Sequence, residues 1–146
     1  KAVHESDIEV MANYIFGLPG DTHESMKETF DLSKRLCTAG WNTYAAMALP
    51  GTKLYKEALE KNYKLPETYE GYSFHSYETL PLRNENLSAA EILEYRDHCF
   101  TNYHSYTPFL ERIKIKFGSM AVDNIKNMTK VKLKRKIIEE NYNAKH

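Results

Sequence analysis

The sequence predicts an α/β protein in which two parallel strand–helix units precede a helical extension, and three observations carry that expectation. Leu18-Pro19-Gly20 and Leu49-Pro50-Gly51 each close an apolar run and lie 31 residues apart, the length of one strand–helix unit. A helical crossover of that length favours parallel pairing of the two strands. From Ser88 onward the apolar residues recur at helical spacing. The chain therefore divides into two βα units (1–62), an aromatic connector (63–87) and a helical C-terminal extension (88–146).

Residues 8–17, IEVMANYIFG, are too rich in Ile, Val, Tyr and Phe to alternate, as expected of a strand buried on both faces of a parallel sheet. Asp21 or Thr22 then offers an N-cap, with Glu24 placed to complete a capping box from Asp21. Met26, Phe30, Leu32, Leu36 and Cys37 follow at helical spacing, and Gly40 supplies a stop. Thr43–Leu49 reads as the second strand, and Thr52 caps a helix whose inner face is Leu54, Tyr55, Ala58 and Leu59. Two strands alone do not make a stable sheet, so partner strands or covering helices are required. Tyr63, Tyr69, Tyr72, Phe74 and Tyr77 populate the connector, where one short strand fits near 72–77. Ser88 and Glu91 form a capping box for a helix with the stripe Ile92, Tyr95, Cys99 and Tyr103. Thr107-Pro108 opens another helix that ends at Gly118, and a last one runs from about Ser119 to Asn141.

Composition narrows the function classes. Basic and acidic residues number 20 each, and the halves are nearly even, 8 against 11 in residues 1–73 and 12 against 9 in 74–146, so no global field draws in nucleic acid or anionic lipid. No apolar run approaches a membrane span. A cytoplasmic protein without nucleic-acid or membrane partners is expected. The two cysteines, Cys37 and Cys99, belong to no metal-binding spacing and are read as small apolar groups on helix faces.

Five features invite a chemical reading. The turn at 18–22 could present backbone N–H groups to an anion or small ligand, or simply join strand to helix; Asp21 argues against phosphate, since its carboxylate already meets the helix dipole. Asn13, on the strand face shared by Met11, Ile15 and Gly17, either bonds locally or faces a ligand. Gly17 either admits a ligand or merely ends the strand. His98 and His104 point about 120° apart on a helix, so with Cys99 they make no metal site. The run Lys130–Lys136 carries five cations in seven residues, with Val131 and Leu133 interleaved as on a solvated helical face and no aromatic residue for stacking on bases.

The segment Ala12-Asn-Tyr-Ile-Phe-Gly-Leu-Pro-Gly-Asp-Thr-His-Glu-Ser-Met26 resembles the fifth strand and following turn of radical S-adenosylmethionine (SAM) enzymes, whose pattern runs roughly GxIxGxPGE[ST]. Ala48-Leu-Pro-Gly-Thr-Lys-Leu-Tyr55 is similar to their sixth strand and its PGT turn. Leu80-Pro-Leu-Arg-Asn84 and Leu87–Asp97 resemble the helical extension of members with an N-terminal cobalamin-binding domain, among them the anaerobic magnesium-protoporphyrin monomethyl ester oxidative cyclase-like proteins. Asn13 and Asp21 depart from the pattern, which prefers Gly and Glu there.

The resemblance implies that the chain is the C-terminal part of a partial (β/α) barrel whose parent reductively cleaves SAM to a 5′-deoxyadenosyl radical. Ile15 would lie against the adenine with Gly17 leaving room beside it, Asn13 would stand at the pattern's glycine, and Ala46, Met47 and Ala48 would border the same pocket. The family's CxxxCxxC loop, which holds a four-iron four-sulfur cluster, is not in these residues and is expected upstream. SAM, the cluster and, in the cobalamin-binding subgroup, cobalamin are thus expected of the parent, and the fragment alone is expected to be inactive and to hold none of them. Its partners would be the N-terminal part of the same polypeptide and a small-molecule substrate. Two rivals remain: a small-ligand module using the Asp21/Thr22 helix terminus, and a helical interaction module built on residues 88–141.

Overall fold

Strand β1, Met11–Phe16, and strand β2, Gly40–Ala45, pair in parallel, Met11 opposite Gly40 and Phe16 opposite Ala45. The computed structural model describes residues 3, 5, 6 and 8–144, and within them these strands form an open two-stranded sheet. Helix α1, His23–Leu36, links the strands, and α2, Lys53–Glu60, follows β2. The expected βαβα order and parallel pairing are therefore present.

The strand borders differ from expectation. β1 is shorter than 8–17, and β2 begins three residues before Thr43 and ends four before Leu49. Gly40 does not stop the helix. It starts β2, where a Cβ would collide with the side chain of Met11 lying across it. Helix α1 stops instead at Cys37, in the left-handed region at φ 46°, whose N–H donates to Ser33 O. The capping box is also displaced by one residue: Thr22 caps α1 and Ser25, not Glu24, completes it. Met26, Phe30 and Ser33 are the buried residues of α1, whereas Leu32 and Leu36 are exposed.

Burial on both faces of the sheet is not observed. Ala12, Tyr14 and Phe16 turn inward, while Met11, Asn13 and Ile15 are exposed on the opposite face. The inward face is covered by α1 and by helix α3, Ala89–His104, in one core that joins Phe16, Met26, Phe30, Trp41, Ile92 and Tyr103. Trp41 stacks on Tyr103 at 4.6 Å and 10° between planes, with Phe30 edge-on. Ser88 and Glu91 close the capping box of α3 as expected.

In the connector the structure has a 3-10 turn over Tyr69–Tyr72 and no strand near 72–77. Its hydrogen bonds close locally: Ser73 N donates to Glu70 O, Leu80 N to Gly71 O, and Thr79 Oγ1 to Ser73 O, so no ladder can form. Helix α4, Thr107–Phe117, opens on Pro108 as expected and ends at Gly118. The helix expected over 119–141 is two helices, α5 over Ser119–Lys130 and α6 over Lys136–Asn143. Between them the chain is non-helical and Arg135 is drawn inward, so the Lys130–Lys136 run is not a solvated helical face.

Candidate functional site

An apolar groove of about 360 Å³ lies beyond the carboxyl ends of β1 and β2, lined by Ile15, Leu18, Tyr44, Ala46, Met47 and Phe74, among others. The pleat puts Ile15 on the open face, and its register partner Tyr44 stands beside it. Phe74, from the connector, packs edge-on against Tyr44 at 5.0 Å, giving the groove an aromatic wall. The ladder ends where Ala46 N donates to Phe16 O, and Ala46 O then accepts from Leu82 N, which holds the floor of the groove in place.

Of the six candidate residues, the structure brings Ile15, Ala46 and Met47 to this groove. Asn13 lies on the same open face, two residues toward the start of β1, where its Oδ1 accepts from Asn42 Nδ2 at 3.1 Å. That is the local bonding alternative. Gly17 turns the other way: at φ +82° it sits against α3, and an ideal Cβ would stand 2.5 Å from the Ile92 side chain. Its smallness serves helix packing rather than the groove. Ala48 is buried with Ala58 and Leu82 in a second apolar cluster.

The turn after β1 spends its donors internally. Gly17 N and Leu18 N both donate to Asp21 Oδ2, at 3.0 and 2.9 Å, and Ser25 Oγ donates to Asp21 Oδ1 at 2.8 Å. Asp21 thus does what a bound anion would do, and these amides are not open to one. Asn84, buried at 3% exposure, anchors the turn from the connector. Its Nδ2 donates to Leu18 O and Asp21 O, and its Oδ1 accepts from Asn86 N and Leu87 N.

Cys99 is fully buried, which pushes its thiol up to about 12, and burial likewise raises Cys37. Neither is poised as a thiolate. His104 is held among Trp41, Phe100 and Phe109, and its Nδ1–H donates to Phe100 O; burial lowers its pKa. Among the described residues no three His, Cys, Asp or Glu side chains converge as a metal site would require.

Sequence reasoning missed two features. Leu18, Tyr44 and Phe74 complete the groove, and only the burial pattern of a folded β2 reveals that Tyr44 faces it. The second is a buried ionic network in which Asp97 accepts from Arg135 Nε and Nη2 at 2.9 and 3.1 Å and from Arg96 Nη1 at 2.8 Å. Arg135 Nη1 also donates to Ser76 O and Thr79 Oγ1, and Nη2 to Phe74 O. No pattern marks a pair separated by 38 positions.

Compared with protein-family models, curated proteins and solved structures, the chain finds no match in any of the three. Among the described residues no helix is long and apolar enough to cross a membrane.

Proposed function

We propose that this chain is the C-terminal part of a radical SAM enzyme and supplies one wall of the adenosine pocket together with part of a barrel scaffold. The observation that carries the reading is the meeting of Ile15, Ala46 and Met47 in one apolar groove, at the carboxyl ends of two parallel strands. Ligands of open parallel sheets bind beyond those ends. The exposed face of Met11, Asn13 and Ile15 would receive the rest of the barrel interior. With Val10 O and Phe16 O both bonded to β2, the amides and carbonyls of Met11, Asn13 and Ile15 point to the free edge. A preceding strand would pair there and remove the liability of an apolar edge.

The groove suits the adenosine half of SAM. Ile15, Leu18 and Met47 offer apolar contact to a flat base. An iron–sulfur cluster does not fit this chain, whose two thiols, Cys37 at the C-cap of α1 and Cys99 inside α3, are each raised in pKa by burial. The upstream part of the polypeptide would have to hold it, and cobalamin if the subgroup assignment applies. When SAM is bound and reduced it supplies a carbon-centred radical able to take hydrogen from a small-molecule substrate. The work of this chain is to bind and orient the base and to exclude water from one side. A cytoplasmic enzyme follows from this reading.

The test uses the longer polypeptide that ends in this chain, reconstituted anaerobically with iron and sulfide and reduced with dithionite. 5′-Deoxyadenosine and methionine are expected from SAM. An upstream sequence without a CxxxCxxC loop, or a cluster-loaded protein that leaves SAM intact, would overturn the reading.

A further inference from the structure

A second groove, of about 460 Å³, runs between α3 and the segment that carries Val131 to Ile138, at the border of the main core, against which Phe100 and Ile138 pack. Its lining includes Arg96, His98, Phe100, Lys132, Leu133 and Ile138. The charge beneath it does not balance: the guanidiniums of Arg96 and Arg135 share the single carboxylate of Asp97, and their side chains are only 6% and 1% exposed. Excess positive charge held out of water is costly unless an anion compensates it.

Arg96 has one nitrogen to spare. Its Nε donates to Thr43 O and its Nη1 to Asp97, while Nη2 has no acceptor among the described residues. That nitrogen is not sealed away, because the buried side-chain atoms without a partner are Trp41 Nε1, Thr43 Oγ1 and Arg112 Nε. Beside it the Phe100 ring lies 5.2 Å from the guanidinium carbon. On the rim, Asn102 Nδ2 donates to both His98 O and His98 Nε2, which fixes the imidazole proton on Nδ1 as a further donor. Lys132 adds an exposed cation to the lining. Glu94 also lines the groove, but it is exposed and forms no ion pair with Arg96.

We propose that this groove binds a small organic monoanion, a carboxylate carried on a flat apolar body. The carboxylate would take Arg96 Nη2, with Lys132 on the same lining, and the body would lie against Phe100, Leu133 and Ile138. With Arg96, Arg135 and Lys132 set against Asp97 and Glu94, one positive charge is in excess, which a monoanion matches, whereas phosphate would bring about two and no apolar surface to fill the walls. Occupation would bridge α3 to the segment that precedes α6. This inference is independent of the radical SAM reading and of the Ile15 groove.

The probe is 2-naphthoate, titrated into the ¹⁵N-labelled chain and followed by amide chemical shifts, with neutral 2-naphthamide as the isosteric control. Shifts are expected at Thr101, Asn102 and Leu133, with naphthamide at least about tenfold weaker because a charge-assisted hydrogen bond is lost. Leu133→Glu, at a half-exposed position, should keep the fold and weaken naphthoate by about tenfold or more through carboxylate repulsion. Arg96→Met should erase the preference for the anion if it folds; should it unfold, Leu133→Glu and Lys132→Gln still decide. Equal affinity for acid and amide, shifts mapping to the Ile15 groove, or no shift in the millimolar range would each overturn the proposal.

Discussion

The two faces of the sheet come from the same twelve residues and meet opposite fates. On the inner face Phe16, Trp41, Thr43 and Ala45 are buried beneath α1 and α3, with Trp41 stacked on Tyr103 and Phe30 and His104 edge-on to it. On the outer face Met11 and Ile15 remain 63% and 47% exposed, although they are as apolar as their inward neighbours. Hydrophobicity alone therefore does not decide burial here. Coverage does: the chain supplies helices for one side, and the other side, with its free strand edge, is the surface on which the proposed function rests.

Mutation should separate the faces sharply. Trp41→Ala removes the largest inward ring and leaves Tyr103 unstacked, and a loss of about 3–5 kcal/mol is expected in urea unfolding. Met11→Ser on the outer face should cost no more than about 0.5 kcal/mol. Similar losses at the two positions would mean that the outer face is covered in solution, by another chain or by a rearranged one.

A second contrast lies between this apolar core and the ionic network that fastens the C-terminal segment. Asp97→Asn leaves two buried guanidiniums without their carboxylate, and about 3 kcal/mol of destabilisation is expected from that unpaired charge. Unfolding by denaturant measures it. A loss below about 1 kcal/mol would show that water relieves the site and that Arg135 does not hold the segment against the connector.

These contrasts also show what the sequence could reveal. Thr22, Thr52, Ser88 and Pro108 act through residues within one turn of chain, so the starts of α1 to α4 are legible to within a residue, while that of α6 is not. TYAAMAL is more apolar than GWNTYA, which puts the expected strand at 43–49, yet pairing follows the register at Gly40, where the absent side chain lets Met11 lie across. The interleaved apolar and basic residues of 130–136 predict one continuous last helix; its break reflects five hydrogen bonds from Arg135 to residues 74, 76, 79 and 97, far away in sequence. Half of the candidate site was legible for the same reason. Ile15, Ala46 and Met47 follow strand direction, whereas Gly17 and Ala48 were claimed by Ile92 and Leu82, neighbours that only the folded chain supplies.

The inner face should also respond to pH where the outer one does not. His104 is neutral and buried, with Arg96 adding to the depression of its pKa. The unfolded chain takes up a proton below about 6.5, while the folded chain resists until a lower pH. His104 therefore contributes no penalty above about pH 6.5, and stability falls as pH drops from there toward its folded pKa. His104→Phe should flatten that part of the curve in thermal melts, and an unchanged slope would assign it to other groups.

The smallest effect expected on the isolated chain is the most informative about function. Ile15 is half-exposed on the open face, so Ile15→Asp lets its carboxylate reach water and should change stability by no more than about 0.5 kcal/mol. On the proposed reading, the same carboxylate in the longer polypeptide would be enclosed against the adenine without a partner, and SAM binding should weaken by roughly 1–3 kcal/mol. The isolated chain should show no SAM binding by calorimetry at millimolar concentration, because a groove open on one side buries too little of a small ligand. The pair of measurements divides the outcomes cleanly. A large loss in the isolated chain would mean that the open face is already packed, and the comparison of faces fails. A small loss there, with a folded full-length variant that binds and cleaves SAM like the wild type, would keep the open face and remove the adenosine wall from it.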